Sequence, residues 1–224
     1  MELFRQKERI CRERGNPAGL HVALGGQGLI LRDWGDVEGA MRLQKEKERI
    51  CRDYGILTSL QLALGDQADL LQDLGDLDAA LALRRDQQQL CRELRFPTGE
   101  QDAIGGQARI LREKGELDAA AALFEEQERR CRELAHPSGL SRALGGRALA
   151  LTDAGELDDA AALFEEAEGI SRGMEHVVGI QEALLGRATI SRRRGLDDEA
   201  RRLIDEALAM GSCNAKVTRG GCWR

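Results

Sequence analysis

The stretch that decides the fold is ALGGQGLILRDWGDVEGAMRL, residues 23–43, because altered copies of it follow throughout the chain. The copies begin at residues 63, 103, 143 and 183, so successive copies are 40 residues apart. Four columns hold one residue type in all five copies: Ala23, Gly35, Ala40 and Leu43 with their equivalents. Five such copies predict a single elongated body in which neighbouring units share a core.

The composition favours long helices and excludes several classes of protein. Charged residues make up 32% and aromatic residues only 3%, with Ala and Leu dominating the apolar set. The net charge is −6, and no basic run or alternation of basic and aromatic residues indicates a nucleic-acid partner. The first ten residues, MELFRQKERI, carry charges where a signal peptide is apolar. No window approaches the roughly 18 apolar residues of a membrane span. We therefore expect a cytoplasmic protein that binds neither nucleic acid nor membrane.

The cysteines favour a structural role over disulfides or metal. Four of the six occupy one repeat position, and the fifth copy has serine there: Cys11, Cys51, Cys91, Cys131 and Ser171. Stacked helices place such positions about 10 Å apart, beyond the roughly 7 Å Cα separation that a disulfide allows. We expect small, buried residues on a packed face. Cys213 and Cys222 have no His or Cys neighbours, so no metal site and no cofactor is predicted.

The repeat divides the chain into three parts. Residues 1–16 match the end of a repeat and form a half repeat with one helix; residues 17–210 hold five helix-turn-helix repeats; residues 211–224 form a basic tail that we expect to be disordered. Within a repeat, helix A is predicted from about Ala18 to Trp34 and helix B from about Val37 to Tyr54, and the last helix B ends near Met210. Gly35 ends helix A, and Gly15, Asn16 and Pro17 mark a turn between repeats.

Several further columns carry structural predictions. Small residues in the Gly28 and Ala40 columns let helices A and B approach closely, and glycines in the Gly25 column are expected to contact the neighbouring repeat. The Arg12 column is either a ladder of guanidinium groups or, as we favour, a series of last-turn cations that complement the helix dipole. The Gln27 column, which becomes arginine in the last two copies, is expected to bridge adjacent repeats by hydrogen bonds.

The phasing of Gly28, Leu31, Gly35 and Ala40 resembles the tetratricopeptide repeat (TPR). The match covers about residues 1–210, with Ser191 in place of the Leu31-type residue in the fifth copy, and the 40-residue form is similar to spindle-orientation scaffolds and kinesin light chains. The resemblance implies an all-α fold, a right-handed superhelix of antiparallel helix pairs with the A helices on its concave face. The Asn that holds peptide backbone in the spindle scaffolds is replaced by a mixture: Leu29, Asp69, Arg109, Leu149 and Thr189.

The candidate binding residues are those that vary between copies on the groove side of helix A. They are Val22, Leu29, Arg32, Asp33, Leu62, Asp69, Gln72, Asp73, Asp102, Arg109, Arg112, Glu113, Arg142 and Leu149. The leucines suggest an apolar component in the ligand. Arg109, Arg112 and Arg142 are expected to form a basic spot for an acidic peptide. The alternative is that these charges pair with one another, which stabilises little.

The sequence favours an interaction module over an enzyme. Its three histidines are paired with no nucleophile, and it has no phosphate-cradling Gly-Lys-Ser/Thr loop. The first hypothesis is a scaffold that binds a peptide or helix of a partner protein in the concave groove. The alternatives are a regulatory segment of a larger protein and self-association, end to end, through the open face of Met1–Arg14.

Overall fold

The repeated stretch folds as two helices joined by a glycine in the left-handed conformation. Helix α2 spans Pro17–Asp33, helix α3 spans Val37–Asp53, and Gly35 between them has φ +83°. The Asp36 carboxylate caps α3 by accepting a hydrogen bond from the Gly39 N–H at 2.8 Å. The predicted helix ends are within one residue of those observed.

The computed structural model describes residues 1–220, with side chains through Met210, and this part of the chain is all-α. Its eleven helices alternate between B and A type, beginning with a B helix. They are α1 (Glu2–Glu13), α2 (Pro17–Asp33), α3 (Val37–Asp53), α4 (Leu57–Asp73), α5 (Leu77–Glu93), α6 (Pro97–Glu113), α7 (Leu117–Glu133), α8 (Pro137–Ala154), α9 (Leu157–Gly173), α10 (Val177–Arg193) and α11 (Asp197–Gly220). The predicted all-α helical-repeat fold is confirmed.

The turns between repeats use the left-handed conformation even where glycine is missing. Gly15 and Gly55 have φ +58° and +64°, as the sequence predicts. The later copies place Arg95, Ala135 and Glu175 at the same position with φ +51°, +48° and +55°. A side chain is disfavoured there because its Cβ lies too close to the following carbonyl oxygen. The repeated packing on both sides holds these turns in place.

The alanines of the Ala23 and Ala40 columns are buried in every copy, and each of the two compact units, residues 1–110 and residues 111–224, has buried clusters of its own. In unit 1, Cys51, Leu60 and Leu64 form one buried cluster. In unit 2, Ala148, Ala160, Phe164, Ala183 and Ile190 form another. In unit 1 each helix from α1 to α5 packs on the next in sequence, and in unit 2 each helix from α7 to α11 does the same; A helices also contact each other, as α2 does α4 and α8 does α10. This arrangement leaves the outer side of each A helix as a surface.

The closest approach between repeats falls at Gly26 and its equivalents, one position after the predicted Gly25 column. An added Cβ at Gly26 would lie 2.4 Å from the Phe4 ring, and one at Gly146 would lie 2.3 Å from the Phe124 ring. Phe164 meets Gly186 in the same way. At Gly145, by contrast, nothing lies within 4 Å of an added Cβ, so the prediction of a close contact is wrong there. Each phenylalanine on a B helix thus packs on a glycine of the A helix that follows.

The cysteine prediction is confirmed for the four repeated positions. Cys11, Cys51, Cys91 and Cys131 are free thiols and buried, and Ser171 is fully buried in the fifth copy. An added Cβ at Gly19 would lie 2.4 Å from the Cys11 sulfur, so this small residue packs against the start of the next A helix. Burial raises the pKa of the Cys91 thiol to about 11, which keeps it in the unreactive protonated form at neutral pH.

The last helix is longer than the sequence predicts. Helix α11 continues to Gly220 and does not end near Met210. Residues 211–220 contain no proline to stop it. The rest of the predicted tail, residues 221–224 with Cys222, lies outside the described residues, as does the side chain of Cys213. The division into half repeat, five repeats and tail stays a prediction.

The described residues offer neither a membrane span nor a metal-binding cluster. Within residues 1–220 no helix combines the length and the apolar character that crossing a bilayer requires. The same part of the chain holds no group of three or more His, Cys, Asp or Glu side chains placed to bind a metal ion.

Candidate binding surface

The predicted binding residues all lie on the outer side of A helices, and none of them is buried. We call this surface the A face of each unit: Val22, Leu29, Arg32, Asp33, Leu62, Asp69, Gln72, Asp73, Asp102 and Arg109 in unit 1, and Arg112, Glu113, Arg142 and Leu149 in unit 2. Arg32, Asp69, Gln72, Asp102 and Arg112 are half-buried, and the others are exposed. The structure therefore places the candidates at the surface, and whether they bind a partner stays a prediction.

Ion pairs between neighbouring A helices join four of the candidates in unit 1. The Arg32 guanidinium donates to both carboxylate oxygens of Asp73, at 2.6 and 3.0 Å. Asp69 accepts from Arg109 at 3.2 Å and lies 3.8 Å from Arg32. Bidentate pairing of this kind fixes the planes of both groups. These charges satisfy one another within the protein.

A fifth member of this network comes from a B helix and was missed from the sequence. Arg84 of α5 is 5% exposed and reaches the Asp69 carboxylate, and it donates to Gln87 at 2.8 Å. The equivalent position in α7 holds Phe124, which packs on a glycine. Arg84 and Gln44 are the two polar residues of a column that holds Phe4, Phe124 and Phe164 in other copies, and this break in the pattern was detectable from the sequence. Its charge is compensated by Asp69, as a buried guanidinium requires.

Two of the three arginines of the predicted basic spot, Arg109 and Arg112, form ion pairs with carboxylates of the protein itself. Arg109 pairs with Asp69, and in unit 2 Arg112 Nε lies 3.2 Å from the Asp153 carboxylate. Arg193 approaches the same carboxylate at 3.7 Å. The alternative of mutual pairing thus describes Arg109 and Arg112. The predicted basic spot is therefore largely neutralised at these two arginines.

Exposed aliphatic side chains stand between these paired charges. In unit 1, Val22 is 44% exposed, Leu29 50% and Leu62 53%; in unit 2, Leu149 is 38% exposed. Single exposed apolar residues are common on any protein. Here they recur on the A helices, in columns where other copies carry charge, as the sequence indicates.

A small recess opens on the A face of unit 1 between α2, α3 and α4. It has room for about one water molecule and is lined by Gly28, Leu29, Arg32, Gln44, Asp66 and Leu70. Gln44 is 1% exposed, and its Oε1 has no hydrogen-bond partner. Leu70 is also buried, whereas Leu29 is exposed. The recess therefore combines apolar walls with an unsatisfied polar atom.

A partly buried ion pair, Lys47 with Asp66, lies at the recess. Lys47 of α3 is 6% exposed, and its ammonium donates to Asp66 at 2.9 Å. Burial lowers the pKa of the nearby His21, and the charges of Lys47 and Lys7 lower it further. His21 is therefore neutral at pH 7, and Lys47 with Asp66 is a balanced pair. Lys47 was not singled out from the sequence.

A ladder of hydrogen bonds links each B helix to the following A helix, as predicted for the Gln27 column. Gln27 donates to Glu8 at 2.6 Å and Gln67 to Glu48 at 2.7 Å. The later rungs are Gln107 to Gln88, Arg147 to Glu128 and Arg187 to Glu168. The partners are 19 residues apart at every rung. The prediction of bridges between adjacent repeats is confirmed.

The Arg12 column is tied into the same ladder and is not a free row of guanidinium groups. Arg12 donates to Glu8, one turn earlier, and to Glu46 of the next B helix, both within 3 Å. Arg172 donates in the same way to Glu168 and Glu206. These contacts add side-chain pairing to the last-turn position that the sequence predicts. The column is structural.

The comparisons with known proteins bear on the fold. No protein-family model matches the chain, and no curated protein matches its sequence. A solved structure of BtubC (BKLC) from P. vanneervenii superposes with a TM-score of 0.73 at 12% identity, over 99% of this chain and 89% of that one. The TPR-like repeats of a putative kinesin light chain from Podosopora anserina give 0.64 at 18% identity, over 88% and 97%. The chain has the TPR-like helical-repeat fold.

A second group of similar structures consists of longer chains. A Rap protein complexed with the competence and sporulation factor gives a TM-score of 0.76 at 12% identity, over 86% of this TPR-like chain and 54% of the Rap chain. This chain thus spans about half the length of that protein. At such identities the likeness shows the fold alone, so function has to be argued from the residues of the A face.

Proposed function

We propose that this TPR-like chain is a protein-interaction module, without catalytic activity, whose A face binds a peptide or a helix of a partner protein. The observation that carries the proposal is the contrast on the A face of unit 1. Four charged groups there, Arg32, Asp69, Asp73 and Arg109, pair with one another, while three aliphatic side chains remain exposed: Val22, Leu29 and Leu62. Burying such aliphatic side chains against a partner is favourable.

The chemistry of the surface indicates what kind of partner it would take. The ion pairs between A helices hold the surface in one arrangement, which reduces the ordering cost of binding. Apolar anchors surrounded by polar groups with satisfied hydrogen bonds are typical of protein interfaces. A peptide with aliphatic side chains therefore fits better than a strongly acidic one, since Arg109 and Arg112 already face carboxylates.

The experiment is selection of peptides from a displayed random library on the full chain, followed by binding measurements with variants. Leu29→Glu and Leu62→Glu should weaken the selected peptides by about tenfold or more, as expected when an interface anchor worth about 1.4 kcal/mol is lost. Leu208→Glu is the matched control, because Leu208 is 66% exposed but lies on the B helix α11.

The substitution Arg112→Glu also tests the groove, but it removes the ion pair with Asp153 as well. Circular dichroism of every variant should stay helical. Equal binding by the wild type, the two A-face variants and Leu208→Glu would sink the proposal.

Self-association is a second candidate, favoured by one observation on α1. Leu3 is 81% exposed and Ile10 39% exposed on this first helix. Sedimentation velocity over a range of concentrations tests the idea, with Leu3→Glu as the variant. A monomer mass that does not change with concentration would dispose of it. A regulatory role within a larger protein and a cytoplasmic location stay predictions.

A further inference from the structure

Two large apolar side chains are exposed where helices α2 and α4 end. Trp34 is 67% exposed and Leu74 is 57% exposed, and each is the residue that follows the last turn of an A helix. The Arg32 guanidinium donates to the Asp73 carboxylate at 2.6 Å, which brings the ends of these two helices together. The turns from helix A to helix B in unit 1 therefore place an aromatic and an aliphatic side chain side by side at one edge of the fold.

We call residues 32–38 and 72–78, which contain this apolar pair, the turn edge of unit 1. It holds six acidic residues and one basic residue, Arg32, so its formal charge is −5 in a chain whose total is −6. The corresponding residues of the turns at the opposite edge, 12–18 and 52–58, hold three basic and two acidic residues, a formal charge of +1. Net negative charge thus surrounds the apolar pair and is absent from the opposite turns.

One of the acidic residues lies where it disfavours its own helix. Asp33 is the last residue of α2, and the dipole of a helix favours a cation at this end and disfavours a carboxylate. Asp73 has the same place in α4, where Arg32 pairs with it. Asp33 is exposed and forms no ion pair within the part of the chain that the structure describes. A carboxylate in this position, beside an exposed tryptophan, is suited to a cation supplied by another molecule.

The sign of the charge decides the class of partner. Nucleic acids and membrane surfaces rich in anionic lipid carry the same sign as the turn edge and are repelled by it. A Lys or Arg side chain, in contrast, is attracted to Asp33 and stacks favourably on the face of Trp34. An aliphatic neighbour of that cation can cover Leu74 and remove its apolar surface from water. We propose that the turn edge of unit 1 binds a basic segment of a partner protein in which Lys or Arg neighbours aliphatic residues.

The turn edge is a second binding surface beside the A face. Val22, Leu29 and Leu62, which carry the proposed function, lie along the A helices, whereas Trp34 and Leu74 lie in the turns at their ends. The two surfaces share the charged and polar residues at the ends of α2 and α4: Arg32, Asp33, Gln72 and Asp73. Trp34 and Leu74 belong to the turn edge alone, so substitutions of these two residues test it separately.

The test uses peptides selected from a displayed random library on the full chain, with the affinity of each peptide measured for the wild type and for variants. One group of peptides should contain Lys or Arg next to aliphatic residues. Trp34→Ala should weaken this group by about tenfold or more, as expected for an aromatic interface anchor, and Leu74→Ser should weaken it as well. Tyr54→Ala is the matched control, because Tyr54 is 64% exposed and follows the last turn of the B helix α3.

The dependence on salt tests the part that charge plays. Raising the ionic strength from about 0.1 M to 1 M shortens the screening length from about 10 to 3 Å, so the basic peptides should lose affinity. Asp33→Asn should lower their affinity at 0.1 M and reduce the loss that salt causes. In ¹⁵N spectra of the full chain, the Trp34 indole N–H should shift in a saturable manner, and circular dichroism should show that every variant stays helical.

Three results would overturn the inference. The first is that no enriched peptide distinguishes Trp34→Ala from Tyr54→Ala, and the second is that the peptides sensitive to Trp34→Ala carry no excess of Lys or Arg. The third is a mass in sedimentation that rises with concentration and ceases to do so in Trp34→Ala, because a second copy of the chain would then occupy the turn edge.

The same variants separate this inference from the proposed function. Peptides weakened by Leu29→Glu and Leu62→Glu but not by Trp34→Ala contradict the turn edge if they are the only ones found, and they leave the A face standing. Peptides weakened by Trp34→Ala alone contradict the A face and leave the turn edge standing.

Discussion

Gly145 and Gly146 are neighbours in α8, yet alanine at each is expected to change stability in opposite directions. At Gly145 nothing lies within 4 Å of an added Cβ. Gly145→Ala should therefore stabilise the fold by the difference in helix propensity, about 1 kcal/mol. At Gly146 the added Cβ would lie 2.3, 2.5 and 2.8 Å from three carbons of the Phe124 ring.

The magnitude at Gly146 follows from how firmly Phe124 is held. Phe124 is 2% exposed, so its ring cannot swing into solvent to make room. Overpacking of this kind costs about 1–3 kcal/mol, against which the gain in propensity is about 1 kcal/mol. Gly146→Ala should thus be neutral to about 2 kcal/mol destabilising, and about 1–3 kcal/mol less stable than Gly145→Ala.

Urea unfolding followed by circular dichroism measures both free energies in the same background. The double variant Gly146→Ala with Phe124→Leu should recover part of the loss, because the smaller side chain frees the space that the Cβ needs. Equal stability of the two alanine variants, with no coupling to Phe124, would refute the proposed packing of the ring on the glycine.

Two further predictions concern turns and acid stability. Ala135 adopts φ +48°, so Ala135→Gly should relieve about 1 kcal/mol of strain and raise the midpoint of thermal unfolding by roughly 2–4 °C. As the opposite control, Gly115→Ala should lower the midpoint, because Gly115 has φ +81°. A lower midpoint for Ala135→Gly would contradict the prediction. Burial raises the pKa of Glu168, but hydrogen bonds from Arg172 and Arg187 outweigh it, so the pKa is lowered from 4.5. Because the folded-state pKa is depressed, the contribution of Glu168 to stability is present above about pH 4.5 and is lost as the pH falls through the folded value. Glu168→Gln should lower the free energy of unfolding at pH 7 and weaken its decrease between neutral and acid pH, as measured by urea titrations at several pH values. The same decrease in the wild type and the variant would show that Glu168 does not cause it.

Repetition made most of the fold predictable. Ala40 and Gly35 were assigned from their recurrence, since five copies must solve the same packing problem, and the ends of α2 and α3 followed to within one residue, whereas α11 runs on to Gly220. The Gln27 ladder was predicted for the same reason. Close contact with the neighbouring repeat was predicted for the Gly25 column but is found at Gly26, against Phe4. Two adjacent glycines carry the same sequence signal, and only the rotation of the helix distinguishes them.

The candidate site was less predictable because its contacts join different copies. Arg32 meets Asp73, 41 residues away, while Arg109 meets Asp69, 40 residues away. Long side chains with several rotamers can reach either neighbour, so the columns indicate the face but not the pairs. Gln44 and Arg84 were missed because the repeat position that they share with Phe4, Phe124 and Phe164 was not recognised as a column.

The hydrogen bonds that link each B helix to the following A helix also determine where the chain can be truncated, or further repeats added, without separating bonded partners. A fragment that ends at a turn between repeats, such as Gly55, separates a B helix from the A helix that follows it. It would lose the hydrogen bond between Gln67 and Glu48 and the ion pair between Lys47 and Asp66. A fragment that begins with a B helix keeps both partners of every such junction. For truncation, permutation or grafting, the interchangeable module is therefore a B helix with the A helix that follows it, and Gly35 and its equivalents are the joints at which to divide the chain.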